Sequence, residues 1–477
     1  MYYPVGQSGD RDAGPAAADA ARQKRVWAER RLTGAQVAIL CGLLGVLLLL
    51  FAVSFRFATA LVIGGAVIAS SIHLGLRVLA WTVGQWPIAR PALTRSDADL
   101  PLYTILVPLY REANMIAALA AAMEALDYPR ERLEVLLVVE SDDEETQAAI
   151  ARTALPNWMR TLAVPAGFPR TKPRACGHAL EQARGEFVVV FDAEDRPEPT
   201  QLREAVAAFD AYGPPVACLQ ARLVPYNRSD TFLTRLFTLD YCQWFDGMLT
   251  GLQRLRFPVP LGGTSNHFRT AALVAAGGWD AYNVTEDADL GIRLWRLGWG
   301  VRTIGATTFE EAPTSLDSLL PQRTRWSRGY LQTFFVHARR PRTLGLPGLG
   351  VAGWFFLLAF VGGSIIFALV NPLFWAMAAY ALFTGEGLLE WAFDPVIATV
   401  AWGSMVFGNG AAVLMAALSP LGRGWWRLAP WALASPIYWA LVSVASYLAI
   451  AAFARDPFRW EKTPHGRTRA SNGEPPR

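Results

Sequence analysis

The sequence predicts an α/β domain inserted between two blocks of α-helical membrane-spanning segments, and three observations predict it. Asp and Glu are concentrated in residues 96 to 345, whereas 35 to 81 and 350 to 453 hold very few. The two flanking blocks contain apolar runs long enough to cross a bilayer core of about 30 Å. Between them, short β-rich runs alternate with helical ones, the pattern of a mostly parallel sheet covered on both faces. At 477 residues and 53% hydrophobic, the chain is too long for one ordinary domain and more apolar than a soluble one.

Residues 1 to 34 read as a disordered, basic, cytoplasmic tail. The stretch to residue 21 is rich in Ala, Gly and Asp without periodicity, and Arg22, Lys24, Arg25, Arg30 and Arg31 stand just before the first apolar run. Residues 35 to 81 hold two transmembrane helices, Ala35 to Phe55 and Phe57 to Trp81. The long lead before the first run, and the second run directly after it, are unlike a cleaved signal peptide. His73 and Arg77 fall late in the second run, where a long cationic side chain can snorkel to the interface. Two crossings place residues 96 to 345 in the cytoplasm. Beyond them Leu346 to Phe383, Val396 to Ser419 and Leu428 to Ala454 are apolar, the first interrupted at Asn371-Pro372. The reading is about four transmembrane or interfacial helices over 346 to 454, then a basic cytoplasmic tail from 455 to 477.

Within 96 to 345, Tyr103 to Pro108, Leu133 to Val139 and Phe187 to Phe191 are apolar β-rich runs. Ala113 to Leu126, Glu144 to Leu155 and Arg174 to Arg184 are helical ones. Ligands of such a sheet bind beyond the carboxyl ends of its strands. Acidic clusters stand there: Glu140 to Asp143 follow one strand and Asp192 to Asp195 another. The formal charge of +4 comes without basic stripes or stacked-aromatic repeats, which argues against a nucleic-acid partner. Cys41, Cys176, Cys218 and Cys242 lack paired spacing and read as reduced thiols, and the five histidines lack the spacing of a zinc site.

Three segments carry chemistry. Asp192-Ala193-Glu194-Asp195 emerges from a strand end, with Asp192 and Glu194 two apart on an extended chain and so on one side of it. A sparse carboxylate pair suits Mg²⁺ or Mn²⁺ completed by diphosphate oxygens, and a solvated acidic turn before Pro197 explains it equally well. Thr285-Glu286-Asp287 precedes an amphipathic helix, Ala288 to Leu297, which Thr285 can cap. Asp287 is the candidate general base for a hydroxyl proton, a role argued from its company and not from its local sequence. Gln322-Arg323-Thr324-Arg325-Trp326 lies on a helical stretch, Leu316 to Val336. Arg325 offers a planar fork for diphosphate oxygens and Trp326 a face for a sugar ring. The competing reading sets Arg323, Arg325 and Arg328 against anionic lipid headgroups. Pro108-Leu109-Tyr110-Arg111-Glu112 and the small, hydrogen-bonding stretch Gly262 to Arg269 are loops that would border such a site.

Together these segments resemble the processive, cellulose-synthase-like branch of glycosyltransferase family 2. The resemblance covers residues from about 100 to 340. It rests on Val107 to Glu112, Asp142-Asp143-Glu144-Glu145-Thr146, Asp192 to Asp195, Gly262 to Arg269, Val284 to Leu290 and Gln322 to Trp326, in the family's order. Trp460-Glu461-Lys462-Thr463-Pro464-His465-Gly466 also looks like a subgroup's tail after the last span. The resemblance implies a nucleotide-sugar-binding domain of the GT-A type, a UDP-sugar donor, a Mg²⁺ or Mn²⁺ ion and inverting transfer by a single displacement. Position by position, Tyr110, Glu112, Glu140 and Asp143 would surround the uridine, and Asp192 with Glu194 would hold the metal. Asp287 would be the base, with Thr285 and Glu286 beside it, and Gln322, Arg325 and Trp326 would line the mouth shared by acceptor and donor. Glu140 and Glu194 stand where the family has Asp, and Arg174 stands where it has a phosphate-contacting Lys, with Lys172 close by to replace that charge.

What this implies is a bacterial inner-membrane enzyme that builds a β-linked exopolysaccharide, with glucose the expected sugar, and exports it. Its expected partners are the UDP-sugar, a polysaccharide or lipid acceptor, membrane lipids, and export or regulatory subunits. Two alternatives stand beside it. One is transfer of a single sugar to a lipid acceptor. The other, since the family includes a protein associated with phage adsorption, is a membrane platform for surface-polysaccharide assembly.

Overall fold

An eight-stranded mixed sheet, in the order β3-β2-β1-β4-β7-β6-β8-β5, forms the centre of the computed structural model, which describes residues 27–339 and 347–461. Its strands are β1 (Tyr103–Leu109), β2 (Leu133–Glu140), β3 (Met159–Val164), β4 (Phe187–Val190), β5 (Arg196–Pro197), β6 (Val216–Pro225), β7 (Asn266–Arg269) and β8 (Gly300–Glu310). β1 pairs in parallel with β2 and β4, and β2 with β3, while β7 lies antiparallel between β4 and β6. Every residue of β2 and β4 is buried, because helices cover both faces of the sheet. One apolar layer gathers Ile105, Val189 and Phe209 on one face. The other gathers Leu106, Val188 and Phe268 and continues without a break onto Leu74, Trp81 and Phe356 of the flanking apolar helices. The domain therefore shares its core with the helices beside it.

Among the described residues five helices are long and apolar enough to cross a membrane. Two precede the domain: α1 (Gly34–Val53), none of whose residues is buried, and α2 (Phe55–Gly84). They meet at Ser54, whose hydroxyl accepts from the N–H of Phe57 (3.3 Å) and starts the second helix. The other three are Gly350–Thr384, Pro395–Arg423 and Trp426–Arg455. The sequence reading expects about four helices here. The difference arises at Asn371-Pro372, where the helix continues instead of breaking. Proline loosens the turn before it, and the Tyr447 hydroxyl donates to the carbonyl of Leu369 in that turn. Only a short helix, Leu388–Ala392, lies between the first two of these three. The expectations for residues 1 to 26 and 462 to 477, which include Arg22, Lys24 and Arg25 of the N-terminal basic cluster and Lys462 to Gly466, lie outside the described residues.

Four further helices, with the last of the apolar ones, place the site. α3 (Lys172–Leu180) and α5 (Glu286–Arg296) start at it, and α6 (Leu316–His337) runs beneath it along α9 (Ser435–Arg455). α4 (Phe232–Tyr241) continues through a widened π-helical turn, Cys242–Met248, and then through Leu249–Arg254. This continuation packs on α2 backbone to backbone. A Cβ on Gly251 would overlap the carbonyl of Ala80, and one on Gly84 would overlap that of Gly247. The first of the later apolar helices, Gly350–Thr384, is α7 and carries its own π-helical turn, Leu357–Gly362. α8 is Pro395–Leu418.

Candidate active site

A cavity of about 420 Å³ extends from the carboxyl ends of the first strands to side chains of α2, α7 and α9. At the strand end its wall includes Tyr110, Glu112 and Glu140. Glu140 closes β2 and pairs with Arg174 at 2.8 Å; burial raises its pKa against the pull of Arg174 and Arg170. Arg170 bonds Asp142 (2.6 Å) and lies over the Tyr110 ring (5.8 Å). The loop between them needs a left-handed residue, Arg111 (φ 55), and Asp143 secures it by accepting the N–H of Arg111 (2.5 Å) and that of Thr146 (3.3 Å). Asp143 and Arg174 thus stand behind the cavity wall, one shaping the loop that carries Tyr110 and the other holding Glu140.

Past β4 the chain turns at once. Asp195 donates its N–H to the carbonyl of Asp192 (3.1 Å), and Asp192 donates its own to the Asp195 carboxylate (2.7 Å). The extended-chain argument that sets Asp192 and Glu194 on one side is therefore corrected. The turn leaves Asp192 half-buried and Glu194 buried, and both reach the cavity. Lys172, the first residue of α3, pairs with Asp192 and donates to the carbonyl of Gly263 (2.7 Å). Burial opposes the lysine's charge, but Asp192 and Glu286 outweigh it and raise its pKa. The placing of Arg174 among the donor-binding residues is likewise corrected, because its guanidinium is committed to Glu140 and the carbonyl of Pro165 (2.9 Å), and Lys172 is the cation that meets Asp192 in the cavity.

Negative charge exceeds positive at this turn. Burial, then Asp192 and the neighbouring carboxylates, push Glu194 and Asp195 well above the usual carboxylate range. Asp195 Oδ1 has no partner among the described residues. Among those residues no three His, Cys, Asp or Glu side chains form a complete metal site. Mg²⁺ and Mn²⁺ bound mainly through substrate phosphates need only one or two carboxylates, so the acidic turn fits such an ion.

Asp287 is the second residue of α5, and its Oδ1 accepts the N–H of Ala288 (2.8 Å). Thr285 occupies the N-cap position without capping, which corrects the sequence expectation. α6 passes so close at Gly329 that a Cβ there would overlap the Thr285 hydroxyl, so the threonine packs against α6 instead. Glu286 and Asp287 are neighbours with different acidities. Burial and the charge of Asp287 push Glu286 up to about 8. Burial raises Asp287 only to about 6, because the Ala288 N–H, Lys172 and Arg325 stabilise its anion. At neutral pH Asp287 is the ionised member of the pair. Gly263 sits opposite, where even a Cβ would stand 3.5 Å from Asp287 Oδ2, so the carboxylate stays open to the cavity.

α6 supplies Gln322, Arg325 and Trp326 to the wall. The lipid-headgroup reading of its arginines is corrected, because α6 is enclosed by protein. Arg323 pairs with Asp240 (2.8 Å) and lies over the Trp326 ring (4.4 Å), and Arg328, fully buried, pairs with Glu461 (2.6 Å). Arg325 is the loosely held one, with a single 3.5 Å bond to the Val284 carbonyl, the Trp460 ring 4.3 Å away and an unpartnered Nε among the described residues. Burial lowers its pKa against the pull of Glu286, Asp287 and Asp192. Trp326 packs on Tyr241, whose ring centroid is 6.4 Å away.

Sequence reasoning missed the far end of the cavity. His73 Nδ1 lies 3.1 Å from the carbonyl of Ala359, so Nδ1 carries the proton and Nε2 is an acceptor, unpartnered among the described residues. Arg77 does not snorkel outward; it turns inward to Gln243 (3.3 Å), which the π-helical turn presents, and its Nε is likewise unpartnered. Asn371 Oδ1 is a third such atom, and Trp244, Phe360 and Trp439 complete this wall. The available signal was polarity inside apolar spans. Glu310, raised by burial to about 7, and Trp460 are further wall residues that no site motif flagged.

A mixed sheet with an acidic turn at a strand end, flanked by apolar helices, is the GT-A fold of nucleotide-sugar glycosyltransferases. The solved mannosyltransferase PcManGT from Pyrobaculum calidifontis, in complex with GDP-Man and Mn²⁺, shares that fold at a TM-score of 0.52 and 20% identity, over 84% of this chain and 99% of its own. The chain belongs to glycosyl transferase family group 2, whose profile matches residues 187–454, and it is of the cellulose-synthase-like type. The probable glycosyltransferase YdaM of Bacillus subtilis is 26% identical over 52% of this chain and 62% of the relative. The beta-monoglucosyldiacylglycerol synthase of Synechocystis is 30% identical over 53% of each chain. The probable glucomannan 4-beta-mannosyltransferase 1 of Arabidopsis thaliana is 29% identical over 53% of this chain and 47% of the relative. The chain thus spans between about half and three fifths of these relatives' length.

Proposed function

We propose that the chain is an inverting glycosyltransferase of the bacterial inner membrane, its catalytic domain cytoplasmic, that adds a hexose from a UDP-sugar, glucose first among candidates, to a growing β-linked polysaccharide. The cavity carries the reading: Asp287 and Arg325 stand between an acidic, lysine-bearing end and an aromatic, hydrogen-bonding end among apolar helices. Tyr110, Glu112 and Glu140 would border the nucleoside. The acceptor hydroxyl gives its proton to Asp287 while its oxygen attacks the anomeric carbon from the side opposite the diphosphate. The new C–O bond forms as the bond to diphosphate breaks, and the nucleoside diphosphate leaves with that electron pair. Lys172 and Arg325 offset the charge that develops on it. Held by Asp192 and Glu194, a Mg²⁺ or Mn²⁺ ion would supply Lewis-acid neutralisation of the diphosphate, and the Mn²⁺ and GDP-Man bound to PcManGT support a metal and a sugar nucleotide in this fold.

For the acceptor, the far end of the cavity favours a glycan. An acyl chain there would leave His73 Nε2, Arg77 Nε and Asn371 Oδ1 unsatisfied, at a cost of about 1–3 kcal/mol each. Sugar hydroxyls would bond them, and Trp244 and Trp439 offer faces for sugar rings. Export along the same helices belongs to this reading. A second reading, one transfer to a lipid, is supported by the relative named as a beta-monoglucosyldiacylglycerol synthase.

The test is release of UDP from purified protein in nanodiscs with Mg²⁺ or Mn²⁺ across a panel of UDP-sugars, with sizing of labelled product. Turnover with one donor and a high-molecular-weight, glycosidase-sensitive product is expected. A short lipid-soluble product would replace the first reading with the second, and no turnover with any donor would sink both.

A further inference from the structure

Where α5 and α6 end, beside the start of α7, two arginines are buried and, among the described residues, hydrogen-bond only to neutral partners. Arg296 is 4% exposed and donates to the carbonyl of Pro347 (3.1 and 2.6 Å) and to Nδ1 and the carbonyl of His337 (3.3 and 3.4 Å). Arg339 is 5% exposed, donates to the carbonyls of Trp27 (3.0 Å) and Arg30, and has an Nε with no partner among the described residues. The carboxylates of this region are already engaged. Asp289 holds Arg293 (2.5 Å) and His337 (3.0 Å), and Asp280 accepts the N–H groups of Ala28 and Tyr282. His337 donates to Asp289 through Nε2 and accepts from Arg296 through Nδ1, so it is neutral and compensates no charge. Burial lowers the pKa of Arg296 to about 10, which leaves it charged at neutral pH.

Buried charges in proteins are paired, and although Asp289 and Asp280 act on these guanidiniums from a distance, neither arginine is hydrogen-bonded to an anion among the described residues. Both arginines line one cavity of about 540 Å³, whose other walls include Leu349, Val351, Trp354 and Phe355. Val351 is 89% exposed and Phe355 44%, on a helix apolar and long enough to cross a membrane. The cavity therefore has cations at its base and an apolar rim on the lipid side.

We propose that this cavity binds the phosphate of an anionic membrane phospholipid, with Arg296 and Arg339 on the phosphate and Val351, Trp354 and Phe355 along its acyl chains. The assignment needs α7 to span the membrane and is independent of the sugar donor and acceptor. A free phosphate would match the arginines but leave the rim uncovered. The bound lipid would tie the far ends of the two helices that carry Asp287 and Arg325.

The test is native mass spectrometry of the delipidated full-length protein, titrated with phosphatidylglycerol, phosphatidylcholine or inorganic phosphate. Each arginine near an anionic headgroup contributes about a factor of five, so a preference for phosphatidylglycerol over phosphatidylcholine of about thirtyfold is expected. It should fall to near parity in an Arg296→Gln/Arg339→Gln variant and survive in the corresponding Lys variant. The wild-type comparison needs no variant, so a misfolded Gln protein leaves it intact. Equal binding of the two lipids overturns the proposal. So does inorganic phosphate that displaces phosphatidylglycerol at equal concentration, or a folded Gln variant that keeps the preference.

Discussion

The two ends of the cavity that Asp287 lines are built on different principles. At the strand end three basic side chains each have a carboxylate: Lys172 with Asp192, Arg174 with Glu140 (2.8 Å), Arg170 with Asp142 (2.6 Å). At the membrane end Arg77 bonds a neutral amide, and His73 and Asn371 each keep an acceptor open. Ion pairs can exchange partners with a charged ligand at little net cost, because each charge that leaves is replaced by another. Open neutral groups gain most from hydroxyls. Under the proposed function the contrast suits the first end to the diphosphate and its metal and the second to the sugar acceptor, with Asp287 and Arg325 at the join.

Asp192→Asn attacks the ion-pair end and, among substitutions other than that of the proposed base Asp287, should have the largest effect. Turnover falls by about a thousandfold and UDP binding becomes insensitive to Mn²⁺, which calorimetry with and without the metal would detect. Arg325→Lys replaces a fork by a point charge at the join, and a loss of about a hundredfold in kcat is expected from steady-state kinetics. The pH profile sharpens the picture of the join itself. Asp287 must be ionised to accept a proton, and burial raises its pKa to about 6, so kcat/KM should rise with pH through that value and level off above it. A flat profile from pH 5 to 8 would contradict the assignment. At the membrane end, His73→Ala or Asn371→Ala removes one neutral hydrogen bond, and acceptor KM should rise about fivefold with donor KM unmoved. A change in donor KM instead would break the division between the two ends.

How much could be read beforehand follows the same contrast. β1, β2 and β4 stand out in the sequence because both their faces are buried, so they are continuous apolar runs. β3 alternates with exposed positions, β6 and β8 are joined through register shifts, and β7 is the polar Asn266–Arg269, so none of these makes such a run. Motif residues at the strand end were legible as residue types, while their partners were not. Whether Lys172 or Arg174 meets the acidic turn depends on how α3 sits, and whether Thr285 caps depends on Gly329, on another helix and distant in sequence. Arg323 and Arg328 look interfacial on a helical wheel, yet Asp240 and Glu461, distant in the chain, turn them inward. The membrane end was the least legible, since apolar helices disclose their inward face only through a few polar residues such as His73 and Asn371.

The most direct test of the account is a paired measurement of UDP binding and sugar transfer on Asp287→Asn and Glu286→Gln proteins. The account predicts that Asp287→Asn loses about 10³- to 10⁴-fold of transfer with UDP affinity retained, while Glu286→Gln, already protonated in the native protein at neutral pH, keeps most of its activity. Transfer that persists in Asp287→Asn, or that fails equally in Glu286→Gln, would contradict it.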